Sequence, residues 1–207
     1  GDLPFQHYFV RRRCEPTIID LSFVGAHEAS ITPAIQDAID HADLIVFCPS
    51  NPYLSIDPIL SVPGLRRTIR KLPVPKVAIS PIVGGRAIKG PAAKMMLEMG
   101  QMVSPLTVAD HLDGLLDGFI LDEEDRFLAR SVGLPVHVTD TIMSDVAARE
   151  RLAQSTLEFG LSLTASTPQS TSSEAGSTVT QDPAATRDRD ASQDGDVTVA
   201  EQAPTTN

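Results

Sequence analysis

The residues best suited to chemistry lie between Ser80 and Met96, in the stretch SPIVGGRAIKGPAAKMM. A β-branched run, Lys76 to Ser80 (KVAIS), stops at Ser80-Pro81. The pair Gly84-Gly85 follows, then Lys89, and Gly90-Pro91 opens a segment rich in alanine and methionine. This pattern predicts strand, flexible loop, helix. Glycine lets the backbone turn with positive φ and come close to a bound group, and Pro91 fits the first turn of a helix. Unpaired N–H groups at a helix start attract anions, and Lys89 adds a mobile positive charge. A phosphate site is the chemistry these features suit. The alternative is a plain strand-to-helix connection with a surface lysine, since glycine and proline punctuate loops of every kind.

A second stretch of the same design, Asp43 to Leu60, reads DLIVFCPSNPYLSIDPIL. Leu44 to Cys48 is a continuous apolar run that suits a strand buried on both faces, with Cys48 as a buried thiol. The run breaks at Pro49-Ser50-Asn51-Pro52, and Ser55 stands where a helix N-cap is expected. Short helices over Ile56–Val62 and Leu65–Leu72 then lead to the strand at Lys76. Such crossovers are nearly always right-handed, so both loops should open on one edge of a parallel sheet. Ligands bind beyond the carboxyl ends of such strands. Ser50, Asn51, Ser55, Ser80, Gly84, Gly85, Lys89 and Gly90 are therefore the candidate residues for holding a phosphate-bearing ligand, which the family resemblance given below implies is a donor nucleotide.

The elements that must position them follow from periodicity. Thr17–Val24 reads as a strand and Pro33–His41 as a short helix with Ala34, Ile35, Ala38 and Ile39 on one face. Pro91–Met99 is a helix whose Met95, Met96 and Met99 suit core packing. Pro105–Leu112 is another, capped by Ser104. Asp117–Asp122 is a strand, Glu124–Val132 a helix and Val136–Thr139 a last short strand. Asp145–Leu163 is the clearest helix, with Val146, Arg149, Leu152, Ala153 and Thr156 in 3-4 spacing. Asp122 and Asp140 each follow an apolar strand. Either could reach the crevice and hold a cation there, or could cap a helix instead; the family resemblance given below is what would make that ligand a magnesium ion or a guanine base. Arg11, Arg12 and Arg13 form a basic run suited to an anion, or a solvated loop.

Composition narrows the function classes. With 17 Lys and Arg against 27 Asp and Glu, the formal charge is -10. That disfavours nonspecific nucleic-acid binding, which needs a basic footprint. No apolar run approaches the roughly 18 residues of a membrane span and no signal peptide opens the chain, so a cytoplasmic protein without a membrane role is expected. Cys14 and Cys48 have no C-x-x-C spacing, and the five histidines form no pair that would put two ligands on one face. A hard cation held by oxygen is then the expected kind of metal. Beyond Thr164 the chain turns to Ser, Thr, Asp, Gln and Ala with almost no large aliphatics. Residues 164–207 are expected to be a disordered acidic tail, because such a segment cannot bury enough apolar area to offset its ordering entropy.

PSNPYLSIDPIL, SPIVGGRAIKGPAAKMM and LLDGFILDEED, with YFVRRR upstream and TDTIM downstream, resemble the 2-phospho-L-lactate transferase family of coenzyme F(420) biosynthesis. The resemblance runs from about Phe5 to Leu163. It implies a Rossmann-like α/β fold, a parallel sheet with flanking helices. Of that fold residues 1–163 would be the C-terminal part, because GDLPFQHYFVRRR resembles mid-chain sequence and no GGTGG-like phosphate loop occurs. It also implies a Mg²⁺-dependent transfer of a phospholactyl or phosphoenolpyruvyl group. The donor would be guanosine diphosphate-linked (lactyl-2-diphospho-5'-guanosine), the acceptor the deazaflavin FO, and GMP the product. A chain lacking the glycine-rich half is expected to turn over little on its own. Asp57 stands in SIDP where many members carry glycine, which puts close approach of a phosphate there in doubt. A non-catalytic nucleotide-sugar-binding regulator of the same superfamily is the alternative, and a homodimer stays open.

Overall fold

The structure is a computed structural model that describes residues 2–163 and 197–201. The chain opens with β1 (Asp2–Pro4), a π-helical turn at His7–Arg11 and β2 (Ile18–Phe23). Helix α1 (Pro33–Asp40) leads into β3 (Ile45–Phe47), and α2 (Asp57–Leu60) and α3 (Leu65–Lys71) cross to β4 (Lys76–Ile79). A tight hairpin, β5 (Ile82–Val83) and β6 (Arg86–Ala87), precedes α4 (Ala92–Glu98) and α5 (Pro105–His111). Then come β7 (Gly118–Asp122), a 3₁₀ segment at Glu123–Ser131, β8 (Val136–Thr139) and α6 (Val146–Ser162), with β9 (Val197–Glu201) last.

Strands β3, β4, β7 and β8 form one parallel sheet in that order, as the α/β reading of the sequence requires. Its two central strands are buried throughout, Phe119, Ile120 and Leu121 completely. Each of those three side chains contributes about 1.5–3 kcal/mol of apolar burial. Lys76 is buried in β4 because its Nζ meets Asp117 Oδ2 at 2.8 Å and the carbonyls of Leu72 and Val74. A buried cation without such partners would be costly. Strand β3 departs from expectation. It is only half-buried and Cys48 is exposed, since among the described residues β3 has a strand neighbour on one side alone.

Helix termini follow the sequence in part. Ser104 Oγ accepts from Leu106 N to cap α5, and Asp145 Oδ1 accepts from Ala148 N to cap α6. The first turn after β3 is different: Asn51, not Ser55, caps a π-helical turn at Pro52–Ile56, its Oδ1 accepting from the N–H groups of Tyr53 and Leu54. Pro52 has no N–H to offer, so the asparagine satisfies the first two donors that exist. Met95 and Met96 lie fully buried, as the methionine stripe suggested. Helix α6 buries Ala148, Leu152, Thr156 and Gly160, whereas Val146, Arg149 and Ala153 are exposed. A strict fourth-residue row faces the sheet because Gly160 lets the helix approach Leu44, whose Cδ1 would lie 2.6 Å from a Cβ added there.

A second sheet is antiparallel, in the order β1, β9, β2. Its middle strand comes from the C-terminal segment. The expected disorder over 164–207 falls outside the described residues except at Val197–Glu201, which pair on both sides and place Val199 in the core. Alternating VTV supplies β-propensity that the tail's average composition conceals. No helix of the described residues is long and apolar enough to cross a membrane.

Candidate functional site

A cleft of about 840 Å³ lies beyond the carboxyl ends of the parallel strands. Three connections build its walls. Pro49 to Asn51, Leu54 and Ser55 follow β3, Ser80 and Pro81 follow β4, and Thr141 to Ser144 follow β8. Ile88 to Ala92 close one side where the chain enters α4, and Phe5 and Phe9 form another wall. Of the candidate residues, Ser50, Asn51, Ser55, Ser80, Lys89 and Gly90 line it together.

Their polar groups are not equally available. Ser80 is buried and its hydroxyl donates to the Ile82 carbonyl at 2.8 Å while accepting from Ile82 N, which fastens β4 to the hairpin. Asn51 uses its oxygen as the cap already described, and its Nδ2 donates to Met95 Sδ at 3.3 Å, leaving one N–H for a ligand. Ser50, Ser55 and Lys89 have no side-chain partner among the described residues. Lys89 differs in this from Lys76 and Lys94, which are paired with Asp117 and Glu98. Among the described residues no carboxylate lines the cleft, although the chain carries 27 acidic residues, and Lys89 is the one charged side chain in the lining. The wall is therefore positive, with the free hydroxyls of Ser50, Ser55 and Ser144 set among apolar groups.

Gly84 and Gly85 are not part of this wall. They are the two central residues of the β5–β6 hairpin, with φ of +56° and +70°. Positive φ at both positions is what a two-residue I′ turn demands. The Gly84 N–H expected to face a diphosphate instead donates to Asp125 Oδ2 at 2.9 Å. Asp125 is buried, and burial pushes its carboxyl pKa up, against the lowering effect of that N–H. A protein carboxylate thus takes the place that an anionic ligand was expected to fill.

The two candidate acids are engaged structurally. Asp122 is buried; its Oδ1 accepts from Glu124 N at 3.0 Å, capping the 3₁₀ segment, and its Oδ2 accepts from both the N–H and the hydroxyl of Thr141 at 2.8 Å. Burial alone would raise its pKa, but these hydrogen bonds outweigh it and hold the carboxyl below the usual range. Asp140 caps no helix. It accepts from Ile142 N and pairs with Arg151 at 2.5 Å, half-exposed. Neither lines the cleft, and among the described residues no group of three His, Cys, Asp or Glu could hold a metal. Asp57 also lies outside the lining and is paired with His111 Nε2 at 2.8 Å. Arg11, Arg12 and Arg13 are exposed and are not among the cleft's lining residues.

Two contributions escaped the sequence reading. Phe5 and Phe9 stack with ring centroids 5.4 Å apart, and Ile142 and Met143 stand exposed on the cleft lining. The i, i+4 spacing of the two rings in FQHYF and the apolar pair inside TDTIM were the available signals.

Comparison with known proteins places the sequence among relatives. Residues 1–152 match the family described as 2-phospho-L-lactate transferase CofD. A 2-phospho-L-lactate transferase of Methanosarcina mazei is 37% identical over 157 residues, covering 74% of this chain and 51% of that relative. A phosphoenolpyruvate transferase of Streptomyces griseus is 38% identical over 159 residues, covering 75% and 50%. The chain spans about half the length of the curated relatives it matches. With a match over residues 1–152, most of its length, the chain belongs to the 2-phospho-L-lactate transferase CofD family.

Proposed function

We propose that the cleft holds a guanosine diphosphate-linked donor, lactyl-2-diphospho-5'-guanosine, beside the deazaflavin FO. The chain then serves transfer of the 2-phospholactyl group to FO with release of GMP, in coenzyme F(420) biosynthesis. The observation that carries this reading is the electrostatic character of the lining: among the described residues no acid, an unpaired Lys89, and the free hydroxyls of Ser50 and Ser55, in a chain of charge -10. Such a wall favours a polyanion where most of the surface repels one. The stacked rings of Phe5 and Phe9, with Ile142 and Met143, offer a flat apolar face for a tricyclic ring system.

In the transfer, the terminal ribityl hydroxyl oxygen of the acceptor attacks the phosphorus that bears the lactyl group. A new O–P bond forms, the P–O bond to GMP breaks with its electron pair leaving on GMP, and the hydroxyl proton is released. Chemistry of this kind is served by holding the reactants in line and by neutralising phosphoryl charge. Lys89 supplies charge, Ser50, Ser55 and the remaining Asn51 N–H supply hydrogen bonds, and the aromatic wall orients the acceptor. A phosphoenolpyruvyl donor, suggested by the name of the Streptomyces griseus relative, presents the same phosphorus to the same groups. Magnesium fits the described residues poorly: both oxygens of Asp122 and of Asp140 are already engaged. Turnover by the 207-residue chain alone is expected to be slight, because the match covers about half of the relatives' length.

Calorimetric titration of guanosine diphosphate into the chain and into Lys89→Met tests the reading. A charge-assisted hydrogen bond from Lys89 to a phosphate oxygen is worth about 1.5–3 kcal/mol, so the variant should bind at least about tenfold more weakly. The native affinity should also fall with added salt. Equal affinity of the native chain for guanosine and guanosine diphosphate, or an unchanged Lys89→Met variant, would refute it.

A further inference from the structure

We propose that strand β9, from the C-terminal segment, positions the aromatic wall of the cleft by joining β1 in cis to the body of the domain. Strand β1 has β9 as its one strand neighbour among the described residues, with Leu3 opposite Val199. Pro4 ends β1 and the next residue is Phe5, so whatever holds β1 sets where the Phe5 and Phe9 rings stand.

The other side of β9 is anchored. Strand β2 pairs with it from Phe23 opposite Val197 to Ile18 opposite Glu201, and Leu21 faces Val199. Ile18 N donates to Glu98 Oε2 at 3.1 Å and Lys94 Nζ donates to the Pro16 carbonyl at 2.8 Å, which ties β2 to α4. Helix α4 begins at Ala92, on the cleft lining. The mechanical path therefore runs from α4 through β2, β9 and β1 to the two rings, and β9 is its middle member. Val199 is fully buried, which makes the strand part of the core instead of a surface ornament. A three-residue strand without a partner does not hold its place in water. Tyr8, between the two rings in sequence, is fully buried in the same core cluster as Ile18 and Val199, so its seat also depends on β9. Loss of β9 should then free the aromatic segment without unfolding the parallel sheet. This inference does not depend on which ligand the cleft takes.

Hydrogen exchange on the full 207-residue chain and on Thr198→Pro tests it. Position 198 lies in the middle of a strand bonded on both sides, and proline removes one ladder donor there. Exchange over residues 2–10 should speed at least about tenfold in the variant, while residues 118–122 of β7 keep their protection and report that the domain stays folded. A synthetic peptide of residues 194–204 in excess should restore the slow exchange. With 4-fluorophenylalanine incorporated, the signals of Phe5 and Phe9 should move to the shifts of exposed rings in the variant while that of Phe119 stays. Unchanged exchange at 2–10, or unmoved Phe5 and Phe9 signals, would overturn the proposal. Protection at 2–10 that rises with protein concentration in step with a dimer would overturn the assignment in cis.

Discussion

Asp122→Asn is the substitution that most directly tests how the site is supported. The carboxylate accepts three hydrogen bonds, two from Thr141 and one from Glu124 N, and joins the end of β7 to the loop that carries Thr141 into the cleft. Asparagine keeps one oxygen. If that oxygen serves the two Thr141 donors, the amide NH₂ is set against the Glu124 N–H, donor against donor. The loss is one charge-assisted bond and the charge on the others, about 2–3 kcal/mol of folding free energy at neutral pH. Thr141→Val removes only the hydroxyl interaction and should cost about 1 kcal/mol. The folded carboxyl titrates below its unfolded value. Its contribution is therefore fully present above the unfolded value of about 4 and is lost as pH falls from there through the folded value. Urea denaturation of both chains at pH 7 and at successively lower pH should show a gap that is constant above about pH 5 and closes in acid. A gap below about 0.5 kcal/mol at pH 7, or one that persists undiminished in strong acid, would refute the hydrogen-bond account.

Further outcomes follow from the same interactions. Gly84→Ala places a side chain at φ +56° with its Cβ against the Glu124 carboxylate, and should lower stability by about 1–2 kcal/mol in thermal denaturation. Guanosine diphosphate binding by that variant should be unchanged, because Gly84 lies off the cleft. Millimolar Mg²⁺ without nucleotide should shift the melting temperature by less than about 1 °C, since a ligand stabilises only through a site it occupies. A larger shift in calorimetry would reveal a metal site that Asp122 and Asp140 do not provide.

What the sequence determined by itself was local and periodic. The runs Lys76–Ser80 and Asp117–Asp122 named the central strands, Ser104 and Asp145 named helix starts, and the two loops after β3 and β4 named the crevice. These features are legible because strand burial, capping and the placement of a parallel sheet's ligand edge each depend on residues near one another in the chain. The tertiary structure alone decided how each candidate group is spent. Gly84 and Gly85 became a hairpin turn because Asp125, far along the chain, accepts the N–H that a phosphate would have sought. Asn51 went largely to capping and Ser80 to an internal bond, while Lys89 stayed free because no carboxylate of the described residues folds against it. Phe5 and Phe9 joined the site through β1, whose strand partner comes from the other end of the chain. A hydrogen bond or a strand pairing is settled by which distant partner arrives, and one-dimensional spacing carries no record of that.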